Sequence, residues 1–286
     1  MIYIVLSICF SVAVSVMLKL ARRYHIDIYQ AVTWNYSIAI ILTWIFLKPD
    51  LHHLSSAPVV TYSVLALLLP ALFVILGISV RLSGIVRTDI AQRLSLFIPI
   101  IASFLLFQDK LTLVKSIGIV LAFIAIICTI PWHKKGESKP MATNSLVYLL
   151  IVFVGMGVID VLFKQIAALK AIPYSTSLFI VFVLAFIFSL IGLLYQVFTG
   201  KMRFSWPHIF IGWVLGIANF GNILFYLKAH KALANQPSTV FSAMNIGVIV
   251  AGALVGIIIF KEKLSLLNKA GLAMAIIAIV VIADIC

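Results

Sequence analysis

Few residues of this 286-residue chain stand where they could do chemistry. Arg93 sits inside an apolar stretch, flanked by Gln92 and Ser95 and six residues before Pro99. An ionisable group within hydrocarbon costs about 2.5–3.5 kcal/mol on insertion scales, so it needs a partner, a wet cavity or an escape to the interface. Arg93 is expected to face a central cavity and attract the carboxylate of a substrate; an ion pair or snorkelling would also accommodate it. Pro99 removes one backbone donor and is expected to bend its helix.

Asp160 and Lys164 are four apart on one helix and share a face, where they could neutralise one another. Asp160 could instead be a protonatable coupling site. Lys19 and Lys164 lie near helix ends, where snorkelling to the headgroups competes with a place on the substrate pathway. Asn219 and Asn222, three apart, follow Gly212 and Gly216. Amides beside such glycines either bond across a close helix contact or line a cavity. Asn35 and Asn245 are similar candidates, and Gly252 with Gly256 forms a small-residue face assigned to packing.

Other chemistries find no support. His25, His52, His53, His133 and His208 sit in or beside loops with no metal-ligand spacing, and Cys9, Cys128 and Cys286 show no paired spacing. No glycine-rich phosphate loop occurs, and no acid, base or metal set converges, so no metal, no cofactor and no enzyme activity are expected.

The elements that must position these residues follow from composition. Apolar and aromatic residues make up 64% of the chain, charged ones 10%, and the mean hydropathy is +1.23. A water-soluble fold has nowhere to put that surface, whereas at roughly 20 residues per crossing the chain holds about ten transmembrane helices. Apolar runs place them near 2–20, 27–47, 59–80, 87–106, 111–131, 145–168, 174–198, 207–230, 236–260 and 264–284. Continuous runs of this length exclude the alternation of a barrel, so the expected fold is all-α and integral to the membrane. The formal charge of +13 arises mostly from Lys and Arg in short loops, which fits a lipid bilayer rather than nucleic acid as the partner. The amino terminus lacks the charged region and cleavage site of a secretory signal.

The chain repeats itself. Phe107-Gln108-Asp109-Lys110-Leu111-Thr112-Leu113 returns as Phe260-Lys261-Glu262-Lys263-Leu264-Ser265-Leu266, and Gly118, Ala122, Ile124, Ala125 and Ile126 return as Gly271, Ala275, Ile277, Ala278 and Ile279. A weaker echo pairs Ser15 to Lys19 with Asp160 to Lys164. The expected organisation is a first five-helix repeat at 1–131, a polar connecting loop at 132–144 and a second repeat at 145–286. Five crossings is an odd number, so the halves would enter the membrane in opposite senses, as in transporters built from inverted repeats.

The repeated acidic turn, Pro99 ten residues before Asp109, and the two five-helix halves resemble the ten-helix, EamA-type branch of the drug/metabolite transporter superfamily. Met17-Leu18-Lys19-Leu20-Ala21 is also similar to the end of the first helix in the small multidrug resistance relatives, which use an acid in that helix to exchange protons for cationic drugs; here that helix has no acid. The resemblance implies a secondary transporter of the cell inner membrane, working by efflux on a small molecule; a monomer or homodimer is expected. Lys19, Arg93 and Lys164 against Asp160 bias the substrate toward an anionic or zwitterionic metabolite, an amino acid first. The alternative is a proton-coupled exporter of drugs or organic cations, with Asp160 or Asp89 in the role of the missing acid; a membrane enzyme or structural membrane protein is the alternative of another class. Two-thirds of the 21 basic residues fall on odd-numbered connections, which places those in the cytoplasm and the termini outside, whereas the resemblance places the termini inside. Both put the termini on one side.

Overall fold

The computed structural model describes residues 1–23, 26–50, 58–83, 85–110, 112–129, 145–169, 171–259 and 265–283. The expected connecting loop at 132–144, the second acidic turn at 260–263, and the side chains of Lys19 and Asp89 lie outside the described residues.

Among the described residues the chain is all helix, with no strand. The elements are α1 (Ile2–Arg23), α2 (Ile28–Leu47), α3 (Val59–Ser83), α4 (Ile85–Leu94), α5 (Phe97–Leu105), α6 (Leu113–Thr129), α7 (Ser145–Ala168), α8 (Tyr174–Phe198), α9 (Pro207–Ala232), α10 (Pro237–Ile258) and α11 (Leu266–Ala283). Six of them, in α2, α3, α7, α8, α9 and α10, are long and apolar enough to cross a membrane. Their outward faces carry large bare apolar side chains, such as Phe198, Phe46, Val60 and Phe210. Such a surface is stable against lipid and not against water, which makes this a membrane protein.

Local chemistry sets the helix starts. The Asp27 carboxylate accepts from the Gln30 backbone N–H at 3.1 Å and caps α2. Pro207 and Pro237 open α9 and α10, at the position where proline's missing N–H costs nothing.

The run expected as one span over 87–106 is two helices, α4 and α5, divided at Ser95 and Leu96. The cause is Pro99, which cannot donate to the Ser95 carbonyl; that carbonyl accepts from the Ile98 N–H at 3.0 Å in a tightened turn instead. Ser95 Oγ donates to the Gln92 carbonyl at 2.6 Å across the same break. Gly157 of α7 sits against it, where a Cβ would come within 2.9 Å of the Ser95 carbonyl oxygen.

Helix ends gather on two faces. On one, Gln30 at the start of α2 holds the connection before α9, donating to the Arg203 carbonyl at 2.8 Å and accepting from the Ser205 N–H at 3.0 Å. The end of α3 meets the start of α7 there, Ser83 Oγ donating to the Ser145 carbonyl. On the other face the start of α3, the end of α5 and the end of α7 share a cleft lined by Pro58, Thr61, Phe107, Gln165 and Leu169.

The main packing runs between residues 1–129 and 145–283 rather than within either. α9 lies against α1 and α2, α3 against α7 and α8, α6 against α11, and α10 against α1 and α5. One continuous apolar core therefore draws on both parts, including Tyr36, Tyr62, Leu65, Phe163, Phe182, Leu227 and Phe241.

Candidate functional site

The tightest polar seam joins α2 to α9. Gly212 and Gly216, one turn apart, let the helices touch at backbone distance: a Cβ on either would lie 2.6 Å from a carbonyl oxygen of α2, Ala31 O and Asn35 O respectively. Along the same seam Asn219 Nδ2 donates to Asn35 Oδ1 at 3.1 Å, and Trp213 Nε1 donates to Ser37 Oγ at 3.1 Å. Of the two roles open to these amides, Asn35 and Asn219 take the bonded one. Asn222 instead faces α1, its Oδ1 and carbonyl oxygen accepting from Ser7 Oγ at 2.9 Å each.

Asp160 and Lys164 make no ion pair with one another, contrary to the expectation that their spacing raises. Asp160 Oδ1 accepts from the Tyr226 hydroxyl at 2.9 Å. Lys164 Nζ donates to the Ala234 carbonyl at 2.8 Å and reaches the His230 carbonyl at 3.5 Å. The physical reason is the end of α9 and the turn after it: the last helical carbonyls have no intrahelical partners and carry negative partial charge, and the Ala234 carbonyl beside them faces the same ammonium. Nor does Lys164 snorkel, because only 2% of it is exposed. Its ammonium stands 5.7 Å from the centre of the Phe107 ring and is under the electrostatic influence of Asp109.

Asp109 in turn holds the start of α10. Its Oδ2 accepts from the Ser238 N–H at 3.0 Å and from Ser238 Oγ at 2.5 Å. A carboxylate is stabilised there by the first-turn donors of a helix. The chain turns toward this contact through Gln108, whose φ of 53° is left-handed.

Arg93 lies half-buried in the last turn of α4, beside the break, and its carbonyl accepts from the Leu96 N–H at 3.4 Å. Asn245 Nδ2 bonds back to the Phe241 carbonyl of its own helix at 3.0 Å. Of the small-residue face expected to pack, Gly256 is buried, while at Gly252 a Cβ would meet no described neighbour beyond its own helix within 4 Å.

Sequence reasoning passed over His230, Tyr226, Ser238 and Gln30. His230 is fully buried against the rings of Tyr226 and Phe241, each 4.7 Å away between centroids, and neither ring nitrogen has a hydrogen-bond partner among the described residues. The available signal was Tyr226 and His230 four apart on the face of α9 that carries Asn219 and Asn222, with His230 the last residue of the apolar run expected over 207–230.

Fold and interior together define the class: an all-helical membrane protein whose polar side chains are turned inward between helices. An uncharacterized protein of Haemophilus influenzae is 42% identical over 283 residues, covering 96% of this chain and 95% of its own. This chain belongs to the same family as that protein. No protein-family profile matches the chain. A protein of known crystal structure shares the fold, with a TM-score of 0.74 over 99% of this chain and 96% of that one at 12% identity.

Proposed function

We propose that this chain is a secondary transporter of the ten-helix, EamA-type branch of the drug/metabolite transporter superfamily, moving a small anionic or zwitterionic metabolite, an amino acid first, out across the inner membrane by alternating access. In this reading the six long helices are joined by α1, by α4 and α5 as one broken span, and by α6 and α11 to make ten crossings in two inverted halves.

The observation that carries it is a symmetry in the packing. Exchanging each span with its counterpart in the other half turns the α1–α9 contact into α7–α3, and α2–α9 into α8–α3. The same exchange turns α1–α10 into the contacts of α7 with α4 and α5, and returns α2–α8, α5–α10 and α6–α11 to themselves. Inverted repeats of this kind hold their substrate near the midplane between halves, which rock against each other. Within that frame Arg93, half-buried in the last turn of α4 beside the break at Ser95, is assigned the substrate carboxylate. Asp160, held by the Tyr226 hydroxyl, is assigned the coupling proton.

The second reading, a proton-coupled exporter of drugs or organic cations, is favoured by one observation: Asp160 and Lys164 are not paired, which leaves the carboxyl to a cation. A thermal-stability screen of the detergent-purified protein separates the two, because a ligand that binds only the folded state raises the unfolding midpoint. Stabilisation by an amino acid or carboxylate, lost in Arg93→Ala, supports the first. Stabilisation by lipophilic cations alone, lost in Asp160→Asn and kept in Arg93→Ala, replaces it with the second.

A further inference from the structure

The corner where α9 ends and α10 begins is held from outside by two charges of opposite sign. Lys164 of α7 binds the Ala234 carbonyl in the turn after α9 and reaches the His230 carbonyl in its last turn, and Asp109, from the turn after α5, binds the N–H end of α10. Each charge meets the helix terminus whose dipole it complements. The two come from different halves of the chain and act on one another electrostatically. We propose that this corner is a latch, with Phe107 as its plug, that shuts one face of the protein over an internal polar track formed by Asp160, Tyr226 and His230.

Three observations meet here. Phe107 lines the open cleft of about 310 Å³ formed with Pro58, Thr61, Gln165 and Leu169, and its ring also faces Lys164, so it divides that cleft from the corner. Directly behind the corner, both nitrogens of His230 and the hydroxyl of Ser242, one turn beyond Ser238 in α10, are buried without hydrogen-bond partners among the described residues. Polar groups are seldom left so; each unmet one costs about 1–3 kcal/mol. Opening the corner would admit water to both. The track also continues inward, since Tyr226 packs on His230 and donates to Asp160. The bonds that close it end on backbone groups of the corner and on the Ser238 hydroxyl, which water can replace one for one when α9 and α10 move away.

The inference rests on the transporter reading, but its test does not use transport. In a background of Cys9→Ser, Cys128→Ser and Cys286→Ser, His230→Cys is exposed to a membrane-impermeant methanethiosulfonate reagent, applied to sealed vesicles from either side. A working latch lets the intact corner label slowly and from one face only, well below the unfolding temperature. Ser238→Ala, which removes one of the two bonds to Asp109 and keeps the backbone one, then speeds labelling at least ten-fold from that same face, and Lys164→Met does so too. Asn245→Ala, in the same helix but bonded only to its own turn, leaves the rate unchanged. Absence of labelling from both faces in the intact corner, equal labelling from both, or no acceleration in a Ser238→Ala protein that remains monodisperse would each overturn the latch. Acceleration in a protein that carries none of the tested substrates would keep the latch and remove the transporter reading.

Discussion

Replacing Gly216 by Ala tests how closely α2 and α9 are packed. The new methyl carbon would lie 2.6 Å from the Asn35 carbonyl oxygen and 3.0 Å from the Asn35 Cα, both backbone atoms that no rotamer change can move. Relief requires the helices to part by close to an ångström, since carbon contacts relax only beyond about 3.5 Å. That motion stretches the Asn219–Asn35 bond from 3.1 Å out of hydrogen-bonding range. Overpacking costs about 1–3 kcal/mol, and an interhelical bond in a membrane protein averages about 0.6 kcal/mol with a maximum near 1.7. Together they set a loss of about 2–4 kcal/mol, which at this chain length corresponds to a drop of roughly 5–10 °C in the apparent midpoint. The assay is thermal unfolding in detergent, followed by size-exclusion recovery. Gly77→Ala and Gly252→Ala are the controls, because among the described residues no neighbour beyond the helix itself lies within 4 Å of a Cβ at either, and both should leave the midpoint unchanged or slightly raised. A Gly216→Ala protein as stable as those controls would refute the packing argument.

Removing one amide alone, by Asn219→Ala, should cost about 0.6–1.7 kcal/mol, and the loss should not add to that of Asn35→Ala in a double-mutant cycle read by the same unfolding assay. Pro99→Ala restores a donor to the Ser95 carbonyl; it should leave the unfolding midpoint level or raised and slow any flux measured in vesicles, because the break between α4 and α5 is lost. Asp160→Asn should abolish accumulation driven by a proton gradient yet preserve exchange of labelled for unlabelled substrate, and Tyr226→Phe should weaken the driven flux less, since it removes only the hydroxyl that holds the carboxyl.

The membrane class and the long helices were legible because a lipid-facing surface is written directly as apolar composition, and the bare side chains of Phe198 and Val60 are its outcome. The break at Ser95 was half legible: a proline inside a span announces a bend, but the division into two helices depends on how the Ser95 carbonyl finds its donor. Asn35 and Asn219 could be nominated by type and not paired, because 184 residues separate them in sequence. Lys164 misled for a related reason. Spacing within α7 offered it Asp160, while its partners are backbone carbonyls in the last turn of α9 and the turn after it, and backbone groups at a distant helix end leave no trace in residue identity. His230 was missed because its burial comes from Tyr226 and Phe241 together, one on its own helix and one on the next.

Flux of radiolabelled amino acids in proteoliposomes made from the purified protein tests the central claim most directly. The expected result is saturable exchange that depends on the protein, survives in Asn245→Ala and is lost in Arg93→Ala. Flux of lipophilic cations alone, unaffected by Arg93→Ala, or no flux of any tested solute through well-folded protein, would contradict it.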